Sequence, residues 1–157
     1  MTELKIGDTA PDFTMPRDGG AEVSLADYTG QYLVLFFYPK DNTPGCTTEA
    51  VGFTSHKADF AALNAEILGV SRDSVKKHDN FVAKHDLGVV LGADLDGTVT
   101  EDYGVWVEKS MYGKTYMGIQ RATYLIGPDG KIAHIWPKVR VKGHVEDVLD
   151  TLRSRVG

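Results

Sequence analysis

YPKDNTPGC, residues 38–46, ends at the only cysteine of a 157-residue chain. It grows out of Tyr32-Leu-Val-Leu-Phe-Phe-Tyr38, a continuously apolar, β-rich run halted by Pro39. Such a run reads as a strand buried on both faces, in a sheet with helices on each side. Pro44 has no amide hydrogen and suits a first helical turn, and Thr43 before it reads as an N-cap. Gly45 lets another molecule approach the backbone. Cys46 then falls where free amides and the positive end of a helix dipole favour an anion, so it is expected to lose its proton more readily than a free cysteine. A lone cysteine is usually a small buried hydrophobe. Here its neighbours are Thr43, Pro44, Gly45, Thr47 and Thr48, which are not core formers, and the balance shifts to a reactive thiol.

Working outward, Thr9–Phe13 and Ala21–Leu25 read as a hairpin around Arg17-Asp-Gly-Gly20. A helical pattern runs from Thr47 to about Asn64, with Val51, Phe53, Phe60 and Leu63 as its apolar positions. Glu66–Ser71 and Val89–Ala93 are further strands, separated by a helix over Asp73–His85 that Ser74 caps. Arg121–Ile126 and Lys131–Trp136 flank the β-turn Gly127-Pro-Asp-Gly130, and a helix over Gly143–Arg155 closes the chain. Alternating strands and helices followed by a hairpin and a helix predict one α/β domain over residues 1–157, with a central mixed sheet flanked by helices.

The segment around Cys46 resembles the peroxiredoxins, whose pattern Pro-x-x-x-Thr/Ser-x-x-Cys stands here as Pro39, Thr43 and Cys46. The longer string FFYPKDNTPGCTTEA, Phe36 to Ala50, is similar to the bacterioferritin-comigratory, or PrxQ, branch. So are GDTAPDF, SHKADF, SRDSVKKHDNF, YGVWVEKSMYGKTYMGIQRATYLIGPDGKI and the final helix, so the resemblance covers nearly the whole chain. It implies a thioredoxin-like fold with peroxiredoxin elaborations. It also implies a thiol peroxidase acting on hydrogen peroxide or organic hydroperoxides, with no cofactor and no metal.

By the same resemblance Cys46 is the peroxidatic cysteine and Thr43 aligns thiolate and peroxide. Pro39 walls the pocket from water, and Arg121 lowers the thiol pKa and polarises the peroxide. The physics favours those charged roles: displacement at oxygen leaves charge on the departing atom, which fixed donors stabilise, and arginine keeps its charge at any working pH. The amides of Gly45 and Cys46, beside Pro44, complete the substrate cradle. Glu49 either reaches back as a capping partner or joins the arginine network.

Relatives of this branch usually carry a resolving cysteine five residues after the first or in the next long helix. Those positions are Val51 and Val82 here, by nature or by design. A sulfenic acid at Cys46 then needs an external thiol, which predicts a one-cysteine cycle resolved by a small thiol or by a thioredoxin- or glutaredoxin-type protein. Positions 46 and 51 lie one turn plus about 140° apart on a helix, so a cross-link there would require unwinding; valine removes that requirement. The competing reading on the same fold is a redox sensor or holdase chaperone, in which Cys46 is the signal.

Other motifs carry less. Asp94-Leu-Asp-Gly-Thr98 after a strand looks like a haloacid-dehalogenase nucleophile motif, but the downstream acids are misplaced and a strand-to-helix turn suffices. Thr43 stands where a Cys-x-x-Cys pair would begin, and Gly52 where a Cys-x5-Arg loop would need arginine. The five histidines show no metal-ligand spacing. A net charge of −5 argues against nucleic acid or an anionic membrane as partner. The N-terminal stretch lacks the parts of a signal peptide, and one cysteine suits a reducing compartment, so a cytoplasmic protein is expected, and the resemblance to the PrxQ branch implies a monomer.

Overall fold

The computed structural model describes residues 3–156, so the reading of the first two residues at the N-terminus lies outside it. The central run does form a buried strand. Tyr32–Phe37 is β3, the middle of a five-stranded sheet of order β5-β4-β3-β8-β9. Its neighbours are β4 (Ala65–Ser71), parallel to it, and β8 (Ala122–Ile126), antiparallel to it. On the outer edges, β5 (Val90–Ala93) runs parallel to β4 and β9 (Ile132–Trp136) antiparallel to β8. The sheet is therefore mixed, as the sequence order of strands, helices and hairpin requires.

Because side chains alternate along a strand, β3 feeds two cores. Val34, Phe36 and Tyr38 point into one, with residues of α1 (Pro44–Ser55), α2 (Lys57–Ala62), α3 (Val75–His85) and α5 (His144–Val156). Leu33, Leu35 and Phe37 point into the other. That second face is covered by Val99 of the short α4 (Thr98–Asp102), by Tyr103 and Val105 beyond it, and by Met15 of β1 (Thr14–Pro16) and Val23 of β2 (Glu22–Ser24). So the longer helices gather on one face, while a hairpin and one helical turn cover the opposite face.

Two expectations need correcting. The N-terminal hairpin is paired by Thr14–Pro16 and Glu22–Ser24, not by Thr9–Phe13, although it turns through Arg17–Gly20 as expected, with Gly20 N–H donating to Arg17 O. The helix begins at Pro44 with Thr43 at the N-cap position, as read, but the apolar pattern taken as one helix to about Asn64 breaks at His56 into α1 and α2. A third hairpin, β6 (Trp106–Met111) with β7 (Lys114–Ile119), went unread. Its signal was the Tyr112-Gly113 pair: both residues have positive φ (52° and 77°), the geometry of a two-residue hairpin turn. Finally, Asp94 is buried and spends its oxygens on the amides of Val99 and Thr100 at the start of α4, so the phosphatase-like motif is a helix-initiating turn. Among the described residues no helix is long and apolar enough to cross a membrane.

Two features of the core yield measurable consequences. Gly69 on β4 leaves room for the Phe36 ring: a methyl there would stand 2.5 Å from Phe36 Cζ and 3.0 Å from Leu91 Cδ2. Phe36 is stacked on Phe53 with ring centroids 4.7 Å apart and cannot swing clear without leaving it. Gly69→Ala should therefore destabilise the fold by about 1–3 kcal/mol in chemical denaturation, with an unchanged m-value.

His144, at the start of α5, is buried with Nε2 2.8 Å from Thr123 Oγ1 and its ring edge-on to Phe53 and Trp136. Burial, reinforced by the charge of Arg121 and opposed by Asp147, pushes its pKa down to about 4. The fold favours the neutral ring, so this contribution is full above the unfolded value of about 6.5 and is lost as pH falls towards 4. Between those limits the denaturation midpoint should decline more steeply for the wild type than for His144→Phe.

Candidate active site

The chain leaves β3 with Tyr38, whose amide still donates to Val70 O, and then crosses an exposed Pro39 and Lys40. Asn42 adopts a left-handed conformation (φ 62°), which asparagine tolerates better than most residues. Thr43 returns to extended backbone (φ −86°, ψ 154°) and Pro44 opens α1 at a position where no amide hydrogen is needed. The first helical hydrogen bond runs from Thr47 N–H to Thr43 O, so the amides of Gly45 and Cys46 precede the ladder. Cys46 thus lies in the first turn, as its sequence context implied, but its side chain is buried, with 1% of its surface exposed.

The decisive contact comes from the far side of the chain. Arg121, one residue before β8, aims its guanidinium at α1. Nη2 lies 3.3 Å from Cys46 Sγ, and Nη1 donates to Glu49 Oε1 at 2.8 Å. Burial works against the guanidinium's charge, but Glu49 and Cys46 outweigh it and raise the arginine pKa above its usual range. Glycine at position 45 is what permits the approach: a methyl there would stand 3.1 Å from Arg121 Nη2. The main chain of Arg121 is fixed in turn by Val139 N–H donating to its carbonyl at 2.9 Å.

Glu49 joins the arginine network and does not cap the helix. It is fully buried, and its second oxygen, Oε2, has no hydrogen-bond partner among the described residues. Burial raises its pKa to about 7, against the lowering pull of Arg121. Lys109 on β6 is a site neighbour that sequence reasoning missed: its pKa is lowered by burial first and then by Arg121, with Cys46 pulling the other way. Its signal lay in the unread β6–β7 hairpin.

One sequence-derived expectation changes. Thr43 occupies the N-cap position but forms no side-chain cap bond; its hydroxyl donates instead to Lys40 O at 2.9 Å, bracing the loop it sits in. Val51 points away from Cys46, with 38% of its surface exposed, which agrees with the angular separation of the two positions on a helix. Cys46, Gly45, Glu49 and Arg121 come together; Pro39, Thr43 and Pro44 shape the turn that delivers them. Among the described residues, no group of three or more His, Cys, Asp or Glu side chains is placed to hold a metal ion.

This arrangement has close counterparts. The AhpC/TSA family pattern matches residues 6–135. Peroxiredoxin Bcp of Bacillus subtilis is 48% identical over 151 residues, covering 96% of both chains. Peroxiredoxin Bcp of Escherichia coli K12 is 41% identical, covering 98% of this chain and 99% of its own. Among solved structures, a cysteine-to-serine mutant of PrxQ from Xylella fastidiosa is 42% identical and superposes with a TM-score of 0.94 over the full length of both chains. With its lone thiol facing an arginine on a thioredoxin-like sheet, the chain belongs to the AhpC/TSA family, as a peroxiredoxin of the Bcp/PrxQ branch.

Proposed function

We propose that Cys46 is the peroxidatic residue of a one-cysteine thiol peroxidase, and that Arg121, Thr43, Pro39 and the Gly45–Cys46 amides form its peroxide pocket. The observation that carries this reading is the guanidinium of Arg121 at 3.3 Å from the sulfur, at the open end of a helix. The sulfur, as thiolate, attacks the outer oxygen of a hydroperoxide. An S–O bond forms as the O–O bond breaks, sulfur loses two electrons, and the departing oxygen keeps the pair and takes up a proton to leave as water or an alcohol. Arg121 and the free amides face the oxygens on which charge develops. An alkyl peroxide reduction activity is described for the Xanthomonas campestris bacterioferritin comigratory protein, 42% identical over 98% of this chain, and organic hydroperoxides are proposed as substrates here too.

The sulfenic acid left on Cys46 has no second thiol in the chain. An external thiol attacks its sulfur, expelling water and forming a mixed disulfide; a second thiol then releases Cys46 and leaves as the disulfide. A small thiol, a thioredoxin or a glutaredoxin can fill that role. With the sulfur buried, the first turn of α1 must open before any of them reaches it. Glu49 contributes by holding the arginine. The protein is proposed to work as a monomeric, single-domain enzyme in the reducing cytoplasm, where such thiols are supplied.

Arg121→Ala should slow oxidation of Cys46 by peroxide about 100-fold in stopped flow, the cost of losing a preorganised donor, and Arg121→Lys should fall between it and wild type. A wild-type rate in Arg121→Ala would remove the arginine from the reaction. Steady-state assays with peroxide and excess glutathione or a thioredoxin system should show many turnovers per Cys46, abolished in Cys46→Ser and largely intact in Val51→Ala. A single stoichiometric oxidation with every thiol tried would instead support a sensor.

A further inference from the structure

Of the residues from Pro39 to Gly45, only Asp41 is buried. An acid inside an otherwise exposed turn has a high desolvation cost, so its partners are informative. Asp41 Oδ1 accepts from Tyr38 Oη at 2.6 Å, and Oδ2 lies 2.7 Å from His78 Nδ1. The amide of Asp41 donates to Asp73 Oδ2 at 2.8 Å, the same oxygen that accepts from Ser71 Oγ. His78 is fully buried, and its Nε2 lies 2.9 Å from the carbonyl of Gly92. A carbonyl only accepts, so Nε2 carries a hydrogen, and one further proton lies between Nδ1 and Oδ2.

These bonds tie the turn that delivers Cys46 to three separate elements: the end of β4 through Ser71 and Asp73, α3 through His78, and β5 through Gly92. None of these hydrogen bonds involves the sulfur. Thr43 Oγ1 on Lys40 O braces the turn only within itself, so the Asp41 network is its long-range anchor. We propose that Asp41 and His78 form a positioning pair, which holds the turn so that Cys46 and its amides face Arg121 in the geometry that peroxide cleavage needs. The proposal rests on the peroxidase reading of Cys46.

Peroxide cleavage needs aligned donors; alkylation of the same sulfur needs only the thiolate, so the two reactions are compared at about pH 10, above the ordinary thiol range. Asp41→Ala and His78→Ala should therefore slow oxidation by peroxide about tenfold or more, as displaced reacting groups do. Alkylation of Cys46 by iodoacetamide should be no slower than in wild type. Asp41→Asn should stay within about threefold of wild type: its amide can donate to Nδ1 of a neutral ring, its oxygen can still accept from Tyr38, and Gly92 keeps its donor. Tyr38→Phe, which keeps the ring and loses the hydroxyl's contacts with Asp41 and His78, tests the network if the alanine variants do not fold, and should be about threefold slower with peroxide.

Wild-type oxidation in Asp41→Ala, His78→Ala or Tyr38→Phe would overturn the proposal. So would an Asp41→Asn enzyme as slow as Asp41→Ala, or equal losses in oxidation and alkylation. If wild-type Cys46 itself fails to react with peroxide, the peroxidase reading falls. The pair is then judged by amide hydrogen exchange over residues 44–49, where faster exchange in the variants supports the anchor and unchanged exchange refutes it.

Discussion

A single guanidinium spans two buried groups that would otherwise be costly to keep: the thiol of Cys46 and the carboxyl of Glu49. Buried ionisable groups persist when paired, and the planar fork of arginine can serve two partners at once in a fixed geometry. Much of the local sequence is arranged to let it do so. Gly45 has no side chain to obstruct Nη2, Pro44 starts the helix so that the amides of residues 45 and 46 are free, and Val139 pins the arginine main chain. The sheet supplies the common frame, because β3 leads into the turn before Cys46 while its antiparallel neighbour β8 begins one residue after Arg121. Two residues 75 positions apart in sequence thus meet at adjacent strand ends.

What could be read from the sequence divides along physical lines. β3 was legible because a strand buried on both faces must be continuously apolar, and the start of α1 was legible because proline and glycine constrain the backbone whatever surrounds them. Arg121 was not legible from local pattern at all; an isolated arginine carries no address, and only the family resemblance placed it. Glu49 was undecided because a carboxylate at that helical position has two chemically reasonable partners, and only the fold shows which is closer. Thr43 was read as a cap because its type and position suit one, yet its hydroxyl turned back to Lys40 O. The β6–β7 hairpin was missed because most of its residues, including Met111, Tyr112, Tyr116 and Met117, are exposed and show no core-facing alternation.

Burial of the sulfur sets terms for the rest of the cycle. In the proposed cycle a small peroxide would meet Cys46 in the folded pocket, whereas a reductant would have to bring a thiol and its own bulk to an atom with almost no exposed surface. The helix that creates the electrostatic setting therefore also obstructs the second step. A cysteine at position 51 would sit on the other side of α1 and could not meet Cys46 until that turn unwound. With valine there, no in-chain disulfide can trap the unwound form, and opening has to occur by fluctuation or by engagement with the partner thiol.

Glu49 Oε2 shows how closely the two halves of the site depend on each other. A buried acceptor without a donor costs on the order of 1–3 kcal/mol, so proteins rarely leave one. Here the carboxyl is tied only to Arg121, and that one bond offsets part of a burial cost large enough to raise its pKa to about 7. The arginine in turn depends on the acid: away from Glu49 its fork would have the sulfur as its only charged or polarisable partner, and little to fix its rotamer. Removing Arg121 would leave Glu49 buried and unpaired, a more expensive state than losing both. The pair is therefore best understood as one unit, in which the carboxyl bonded to Nη1 decides where the charge beside the sulfur is held.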